Sequence, residues 1–324
     1  MPRPTLSLIL PIFNEERVIP ELHARLQEFL SKLGGQVEVL FVDDGSHDDS
    51  MALLRGIAAS EPRYRILSFS RNFGHQAAIT AGLDYARGEA VVVMDADLQD
   101  PPDVVLEMVA KWRAGYDVVY GKRRSREGET FLKLLTAKGF YRIFALMIPI
   151  DVPLDTGDFR LMSRRVVVAL RTLAETHRFV RGMVAWIGFK QTAVLYDRPG
   201  RFAGETKFPL RKMIGFAIDG ITSFSVLPLR FATYLGMTIS VLSVLTGFWA
   251  LYAKYVQHVT VQGWTTVILL VSLLASVQLL MIGILGEYIG RIYEQVKGRP
   301  LYIVGERHNL ARRPDDDSLD EDAS

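Results

Sequence analysis

The chain has 324 residues, a formal net charge of +2 and no cysteine. This charge balance argues against a nucleic-acid-binding protein, because such proteins usually carry a strong basic excess. The lack of cysteine excludes disulfides, thiolate catalysis and cysteine-zinc sites. A chain of this length has room for two domains or one large one, with ample material for a core.

The N-terminal part alternates between short apolar runs and segments with a helical pattern. The segments from about Glu15 to Leu33 and from about His75 to Arg87 are predicted helices. Strict alternation of strand and helix predicts an α/β fold with a Rossmann-like, mostly parallel sheet. The apolar runs LSLIL, VEVLFV, RILSFS and VVVM, which we predict to be strands, end near Pro11, Asp43, Arg71 and Asp95.

Two further helices carry start signals. Ser46, with Asp49 three residues later, is typical of a capping box. Asp100 followed by Pro101 predicts an N-cap and a first-turn proline for the segment DPPDVVLEMVAKW.

A polar cluster follows each of the four predicted strands. The clusters are PIFNEE, VDDGSHDD, SRNFG and DADLQ, in chain order. Ligands of parallel α/β sheets bind beyond the carboxyl ends of the strands. Four such clusters therefore predict one composite site at that edge of the sheet.

The stretch VVVMDADLQDPP contains the strongest candidate for a metal site. Asp95, Asp97 and Gln99 recur with a period of two beyond the end of a buried strand. The chain has no G-x-G-x-x-G after its first strand and no G-x-x-x-x-G-K-[ST] motif. Mg²⁺ and Mn²⁺ commonly bind one or two carboxylates together with substrate phosphates. A lone D-x-D is also compatible with capping, but its three polar neighbours favour a metal site.

Two long stretches without formal charge predict membrane helices. They run from Phe231 to Ala253 and from Thr265 to Gly286, and about 20 apolar residues span a bilayer as a helix. A buried helical hairpin of a soluble protein is the alternative. Basic residues flank the pair of stretches and are scarce between them, so the positive-inside rule places both termini and the catalytic domain in the cytoplasm. The N-terminus lacks the architecture of a signal peptide.

These features divide the chain into three regions. Residues 1–228 are predicted to form the catalytic domain, residues 229–290 the two-helix membrane region, and residues 291–324 a cytoplasmic tail with a disordered acidic end. DVVYG is expected to be one more strand of the first region. Basic amphipathic helices over about 131–149 and 207–227 are expected to lie in the membrane interface, with a core helix as the alternative for each.

The motifs LSLILPIFNEE, VLFVDDGSHDDS, SRNFGHQAAITAG, DADLQDPP and TGDFRLMSR occur in this order. In this order they resemble family 2 glycosyltransferases of the GT-A fold. More narrowly, the chain resembles polyprenyl-phosphate glycosyltransferases: the bactoprenol glucosyltransferases and, more distantly, the dolichol-phosphate mannose synthases. The similarity runs from about Leu6 to Tyr302 and includes GEYIGRIYEQVKGRPLY.

The resemblance implies a role for each matching position. Asp97 and Asp158 would be catalytic, with Asp158 acting as a base or as a group that orients the acceptor; its alternative is a turn residue. Asp95, Asp97 and Gln99 would hold Mg²⁺ or Mn²⁺. Helix capping is an alternative for Asn14 that is compatible with a binding role. The nucleotide-sugar would contact Pro11, Asn14, Glu15, Asp44 and Asp95.

An anionic lipid acceptor beside an anionic donor requires cations. Arginine forks suit phosphate well, although a solvated basic face is an equally good interpretation of any single residue. The segment RFAGETK resembles the mobile loop that these enzymes fold over the site. The candidate lipid-phosphate ligands are Arg123, Arg124, Arg126, Lys133, Arg201 and Lys207.

The expected function is inverting transfer of a hexose, glucose from UDP-glucose, onto undecaprenyl or another polyprenyl phosphate at the cytoplasmic face of a bacterial inner membrane. Small residues in the two spans favour a homo-oligomer. Alternatives are GDP-mannose or a UDP-aminoarabinose derivative as donor, a processive synthase, whose Q-x-x-R-W motif is missing here, and a non-catalytic membrane scaffold that binds nucleotide-sugar.

Overall fold

The computed structural model describes residues 4–124, 156–197, 225–256 and 263–310. The strands in these ranges are β1 (Leu6–Ile12), β2 (Val37–Asp43), β3 (Tyr64–Phe69), β4 (Ala90–Val93), β5 (Val118–Arg123), β6 (Thr156–Ser163), β7 (Gln191–Tyr196) and β8 (Val304–His308). The helices are α1 (Ile19–Leu33), α2 (Ser50–Ser60), α3 (His75–Tyr85), α4 (Val104–Arg113), α5 (Arg164–Thr172), α6 (Val180–Ile187), α7 (Leu227–Tyr255) and α8 (Trp264–Val296).

All eight strands form one mixed sheet in the order β7-β5-β6-β4-β1-β2-β3-β8. Strands β4, β1, β2 and β3 are parallel neighbours, with Leu6 opposite Val37 in β2 and Ala90 in β4. Strand β6 runs antiparallel to both β4 and β5, and β8 runs antiparallel to β3. The predicted α/β fold with a mostly parallel sheet is confirmed, including DVVYG as strand β5.

The core lies on both faces of this sheet. Strand β1 is buried along its whole length, and its side chains alternate between two apolar clusters. Leu8 and Leu10 pack with α1 on one face, while Ile9 packs with α3 on the other. Burial on both faces explains why the central strands are nearly continuous apolar runs.

Two helices are shorter than the sequence predicts. Helix α1 begins at Ile19 rather than near Glu15, because residues before Pro20 form a turn and the proline occupies the first helical turn. Helix α3 ends at Tyr85 rather than at Arg87, since Ala86 is already extended.

Both capping predictions are wrong. Helix α2 begins at Ser50, and the Ser46 hydroxyl instead accepts a hydrogen bond from the backbone N–H of Asn14 at 3.0 Å. Helix α4 begins at Val104, and Asp100 lies before it without capping it. The buried Asp100 carboxylate accepts hydrogen bonds from the Tyr196 hydroxyl at 2.9 Å and from the backbone N–H of Asp95 at 3.3 Å. Tertiary partners have replaced the local ones in both places.

Helices α7 and α8 are long and apolar enough to cross a membrane, over Leu227–Ala253 and Leu270–Val296. Their apolar windows are 0% buried within the protein, so these helices are not the core hairpin of a soluble domain. The predicted amphipathic helix over 131–149, residues 207–224 of the second one and the acidic end of the tail lie outside the described residues.

The chain returns to the sheet after α8, in the region that the sequence assigns to a tail. Strand β8 pairs with β3 and forms the edge of the sheet. The ring of Tyr302 stacks on that of Phe69 with centroids 5.1 Å apart, and its hydroxyl donates to Asp84. The hairpin of α7 and α8 is therefore fixed to the domain that contains the sheet by the segment that follows it.

Candidate active site

The predicted composite site forms at one edge of the sheet. The carboxyl ends of β1 to β4 meet there because these strands are parallel. Strand β6 runs the other way, so its amino end, with Thr156 and Asp158, reaches the same edge. Parallel pairing and one reversed strand thus bring together segments that are far apart in the chain.

Asp158 is the centre of this edge and is buried. Its Oδ1 accepts a hydrogen bond from Arg181 Nε at 3.1 Å, and its Oδ2 accepts one from Gln76 Nε2 at 3.2 Å. His75 Nε2 lies 3.5 Å from Oδ2 of Asp158 and also 3.5 Å from Oδ1 of Asp95. One imidazole therefore connects the predicted acceptor-orienting carboxylate to the predicted metal site.

Electrostatics keep Asp158 ionised. Burial opposes its charge, but the hydrogen bond from His75 and the positive charges of Arg181 and Arg160 outweigh burial and hold the pKa of Asp158 well below its usual range. Burial lowers the pKa of the Arg160 guanidinium to about 10, which still leaves it charged at neutral pH. A carboxylate with such a low pKa is a poor proton acceptor and a good fixed anion.

The D-x-D segment presents alternate side chains to solvent. Asp95, Asp97 and Gln99 are partly exposed, whereas the residues between and after them are buried. Leu98 has a φ of 62°, a left-handed conformation that bends the chain here. The backbone N–H of Gln99 donates to Asp97 Oδ1 at 3.1 Å. The predicted period of two is therefore present in a turn rather than in an extension of the strand.

The first two strand-end loops are joined and line a cavity. Asn14 Oδ1 accepts a hydrogen bond from the backbone N–H of His47 at 2.9 Å, and the N–H of Glu15 donates to the Ser50 hydroxyl at 2.8 Å. The adjacent cavity of about 500 Å³ is lined by Asn14, Glu15, Glu16, Arg17, Val18, His47 and Asp48. Two of the predicted nucleotide ligands thus lie on a concave surface of suitable size.

Asp44 and Pro11 are buried and are not among the residues that line this cavity; Asp44 holds the third loop. Its carboxylate accepts hydrogen bonds from the backbone N–H groups of Phe73 at 2.7 Å and Gly74 at 2.9 Å. Burial raises the pKa of Asp44, although these two N–H groups act in the opposite direction. A Cβ on Gly45 would lie 2.5 Å from the backbone of Arg71, so only glycine permits this loop contact. Contact of Asp44 with the nucleotide-sugar stays a prediction.

The structure places two of the six predicted lipid-phosphate ligands. Arg123 ends β5 and is half-buried, with its Nε atom buried and without a hydrogen-bond partner. Arg124 is exposed, and its Nη1 lies 3.4 Å from Oδ2 of Asp197, which is also exposed. The other four, Arg126, Lys133, Arg201 and Lys207, lie outside the described residues.

The donor set suits a hard divalent cation. Among the residues that the structure describes, no cluster of three or more histidine, cysteine, aspartate or glutamate side chains forms a self-sufficient metal site. Asp95 and Asp97 offer carboxylates and Gln99 an amide oxygen, which matches Mg²⁺ or Mn²⁺ sites that are completed by water and phosphate oxygens.

Sequence analysis missed the side chains that surround Asp158. His75 and Gln76 directly follow the third polar cluster, so their position after a strand end was an available signal. Arg160 lies two residues after Asp158 in the motif TGDFRLMSR, so its place on the same face of the strand was also an available signal. Arg181 had none, because it reaches the site only through the packing of α6.

Comparison with known proteins identifies the family of the chain. Residues 7–171 match the profile described as Glycosyl transferase family 2, and residues 227–292 match the profile described as GtrB C-terminal hairpin. The uncharacterized glycosyltransferase YkcC of Bacillus subtilis (strain 168) is 51% identical over 95% of each chain. The SfII prophage-derived bactoprenol glucosyl transferase of Shigella flexneri is 42% identical over 94% of this chain and 98% of its own.

A partial match to a solved structure was also found. It is glucosyl-3-phosphoglycerate synthase from Mycobacterium tuberculosis in complex with Mg²⁺ and uridine-diphosphate. Its TM-score is 0.47 at 22% identity, and the match covers 68% of this chain and 77% of that one.

The fold, the carboxylate-lined edge and these matches together define a glycosyltransferase of the GT-A fold. The chain belongs to Glycosyl transferase family 2, and the resemblance to bactoprenol glucosyltransferases is confirmed over nearly the full length of the chain. The alternative of a non-catalytic scaffold is set aside, because the chain is an enzyme of this family.

Proposed function

We propose that this enzyme transfers glucose from UDP-glucose to a polyprenyl phosphate, such as undecaprenyl phosphate, with inversion at the anomeric carbon. The observation that carries the proposal is the position of His75, 3.5 Å from both Asp95 and Asp158. This position supports a site in which Asp95 would bind the donor and Asp158, next to it, would orient the acceptor. The names of the bactoprenol glucosyl transferases support the lipid acceptor and the sugar.

The nucleotide would occupy the cavity between the first two loops, with Asn14 and Glu15 at its wall. Asp95, Asp97 and Gln99 would hold Mg²⁺ or Mn²⁺ against the donor diphosphate, and the ion would neutralise charge on the departing nucleoside diphosphate. Asp44 would keep the third loop, and with it His75, in place.

The reaction would be one in-line displacement. An oxygen of the lipid phosphate attacks the anomeric carbon, the bond from that carbon to UDP breaks, and UDP leaves with the bonding electrons. A phosphate monoester has a second pKa near ~6 and is already largely anionic at neutral pH. The acceptor therefore hardly needs a base to deprotonate it. The low pKa of Asp158 instead supports an orienting role, in which its carboxylate holds Arg181 and His75 in place.

Two anions must meet in this reaction, so cations have to offset their repulsion. Arg123 supports an acceptor-phosphate site, because its half-buried guanidinium ends β5 at the same edge of the sheet as Asp158. The remaining basic candidates, Arg126, Lys133, Arg201 and Lys207, stay predictions.

The two long apolar helices would hold the catalytic domain at the cytoplasmic face of a bacterial plasma membrane, with both termini inside. Two spans are too few to enclose a pore and would instead anchor the domain near its lipid substrate. Self-association through small residues in these helices is part of the proposal.

The test uses purified full-length protein with undecaprenyl phosphate and separate radiolabelled UDP-glucose, GDP-mannose and a UDP-aminoarabinose derivative. We expect label in the lipid fraction with UDP-glucose, dependence on Mg²⁺ or Mn²⁺, and a β-linked product from the α-linked donor. Transfer from another donor alone would overturn the choice of sugar. An α-linked product would overturn the inverting mechanism.

A further inference from the structure

Two glutamine side chains bind the two ends of the segment from Ala174 to Val180, which joins α5 to α6. At the first end, Gln295 of α8 donates from Nε2 to the carbonyl oxygen of Ala174 at 2.7 Å. Its Oε1 accepts a hydrogen bond from the backbone N–H of Thr176 at 2.8 Å. Both polar groups of one carboxamide thus hold the backbone of this segment, which we call the 174–180 segment.

At the other end, Gln76 makes the corresponding pair of contacts. Its Oε1 accepts a hydrogen bond from the backbone N–H of Val180 at 3.0 Å, and its Nε2 donates to Asp158 Oδ2 at 3.2 Å. The next residue, Arg181, donates from Nε to the other oxygen of Asp158. Hydrogen bonds at both ends of the 174–180 segment therefore connect α8, through the backbone of that segment, to the carboxylate at the centre of the site.

Two further contacts reinforce this connection. His177 Nε2 lies 2.6 Å from Glu294 Oε2, so the 174–180 segment has a second link to α8. After α8, the carbonyl oxygen of Ile303 accepts a hydrogen bond from the backbone N–H of Ser70 at 3.0 Å, in the loop that leads to Gln76. Both sides of Asp158 are thus tied to the chain that leaves the membrane region.

We propose that Gln295 and Gln76 are positioning residues that fix the orientation of Asp158 relative to helix α8, and so relative to the bilayer. The proposal rests on the proposed function, because it matters only for an acceptor that is held in the membrane. Such an acceptor arrives at a depth that the bilayer sets, whereas a nucleotide-sugar arrives from solution. An error of about 1 Å in a positioning group can cost on the order of a hundredfold in rate.

The kinetic test compares two acceptors, undecaprenyl phosphate in vesicles of phosphatidylethanolamine and phosphatidylglycerol, and a short water-soluble prenyl phosphate. For Gln295→Ala we expect about a tenfold loss of kcat/KM with the vesicle acceptor, little change with the soluble one, and an unchanged KM for the donor. For Gln76→Ala we expect about a tenfold or larger loss of kcat with both acceptors, because Asp158 loses a direct hydrogen-bond donor to Oδ2. Gln76→Glu keeps an acceptor for Val180 but faces Asp158 with a second carboxylate, so it should not restore kcat.

Gln27→Ala is the matched control, because it removes the same side chain from an exposed position on α1. Equal losses with both acceptors in Gln295→Ala would overturn the bilayer part of the proposal. Wild-type kinetics in Gln295→Ala would overturn the role of Gln295 altogether.

Hydrogen exchange of the full chain in the same vesicles tests the coupling without activity. The amides of Thr176 and Val180 are themselves donors in the two glutamine contacts. Gln295→Ala should therefore speed exchange at Thr176 and also at the distant Val180, with β1 and β2 unchanged as the fold control. Unchanged exchange at Val180 would overturn the coupling. If the wild-type protein glycosylated neither acceptor, the proposed function would be wrong. The hydrogen-exchange rates at Thr176 and Val180 would still show whether Gln295 is coupled to Val180.

Discussion

The two edges of the sheet both contain buried carboxylates, yet they are built for different purposes. We call the edge at which the parallel strands β1 to β4 begin the amino edge, and the edge at which they end the carboxyl edge. At the amino edge, Glu38 is 3% exposed and pairs with Arg65, the Ser7 hydroxyl and the backbone N–H of Arg87. At the carboxyl edge, Asp158 is 7% exposed, but its partner His75 is 45% exposed and also reaches Asp95. Burial of a charge therefore does not by itself indicate function. What distinguishes Asp158 is that its exposed partner His75 also lies against a second carboxylate, Asp95.

A second carboxylate confirms the structural character of the amino edge. Asp117 precedes β5 and accepts hydrogen bonds from Arg165 and from the Ser163 hydroxyl at 3.1 Å. These contacts join β5 to the end of β6 and the start of α5. At the amino edge, ionised groups thus join neighbouring strands and helices. At the carboxyl edge, such groups lie next to side chains that are exposed to solvent.

The largest effect is expected at the carboxyl edge. Asp97→Ala should lower the transfer rate by about a thousandfold, because it removes a metal-binding carboxylate from the donor diphosphate. The midpoint of thermal unfolding should not change, since Asp97 is partly exposed. Lipid glycosylation and unfolding are measured on the same preparation, with and without Mg²⁺.

Asp103→Ala is the matched control, because Asp103 is exposed, lies just before α4 and pairs with Lys32 at the surface. It should keep wild-type transfer. If Asp97→Ala glycosylated the lipid at the wild-type rate in metal-free buffer, the metal-binding role of the D-x-D segment would be wrong. The carboxylates of the carboxyl edge would then be structural, like those of the amino edge.

The next effect is expected at the amino edge and concerns stability. Glu38→Ala should lower the free energy of unfolding by about 3 kcal/mol, because it leaves the partly buried Arg65 without its ion-pair partner and removes the acceptor of the Ser7 hydroxyl and the Arg87 N–H. Transfer per folded molecule should stay at the wild-type value. Chemical denaturation of the full chain in detergent gives the first quantity, and an assay at low temperature gives the second.

Glu28→Ala removes an exposed ion pair with Lys32 and serves as the control for Glu38→Ala. It should have almost no effect on stability, as is usual for surface pairs. If Glu38→Ala lowered transfer while leaving stability intact, the structural interpretation of the amino edge would be wrong.

The smallest effect is expected from Asp117→Asn and depends on pH. The hydrogen bond from Arg165 lowers the pKa of Asp117 in the folded protein. The ion pair therefore stabilises the folded protein fully above the ordinary aspartate pKa of about 4. This stabilisation is lost as pH falls through the lower pKa that Asp117 has in the folded protein. Asp117→Asn should unfold at a lower temperature than wild type at pH 7. Thermal unfolding of wild type and Asp117→Asn is measured at pH 7 and in acid. If the difference between their unfolding midpoints were as large in acid as at pH 7, the ion pair of Asp117 with Arg165 would not be its cause.

Patterns local in the sequence predicted the elements of this fold well. The strands end where apolar runs meet polar clusters, and the period of two in DADLQ survives as partly exposed side chains at Asp95, Asp97 and Gln99. Local signals misled where a tertiary partner was available. Ser46 and Asp100 are good caps in isolation, but Asn14 and Tyr196 offer them contacts that join separate elements.

The sequence by itself determined the alternation of strands and helices, the two long apolar helices and the carboxylates of the family motif, because each depends on neighbouring residues. Only the tertiary structure decided which groups surround Asp158. His75 and Gln76 come from α3 and Arg181 from α6, and the reversal of β6 brings Asp158 to them. The return of residues 304–308 to the sheet, and the attachment of Gln295 to the 174–180 segment, depend in the same way on pairings across more than a hundred residues.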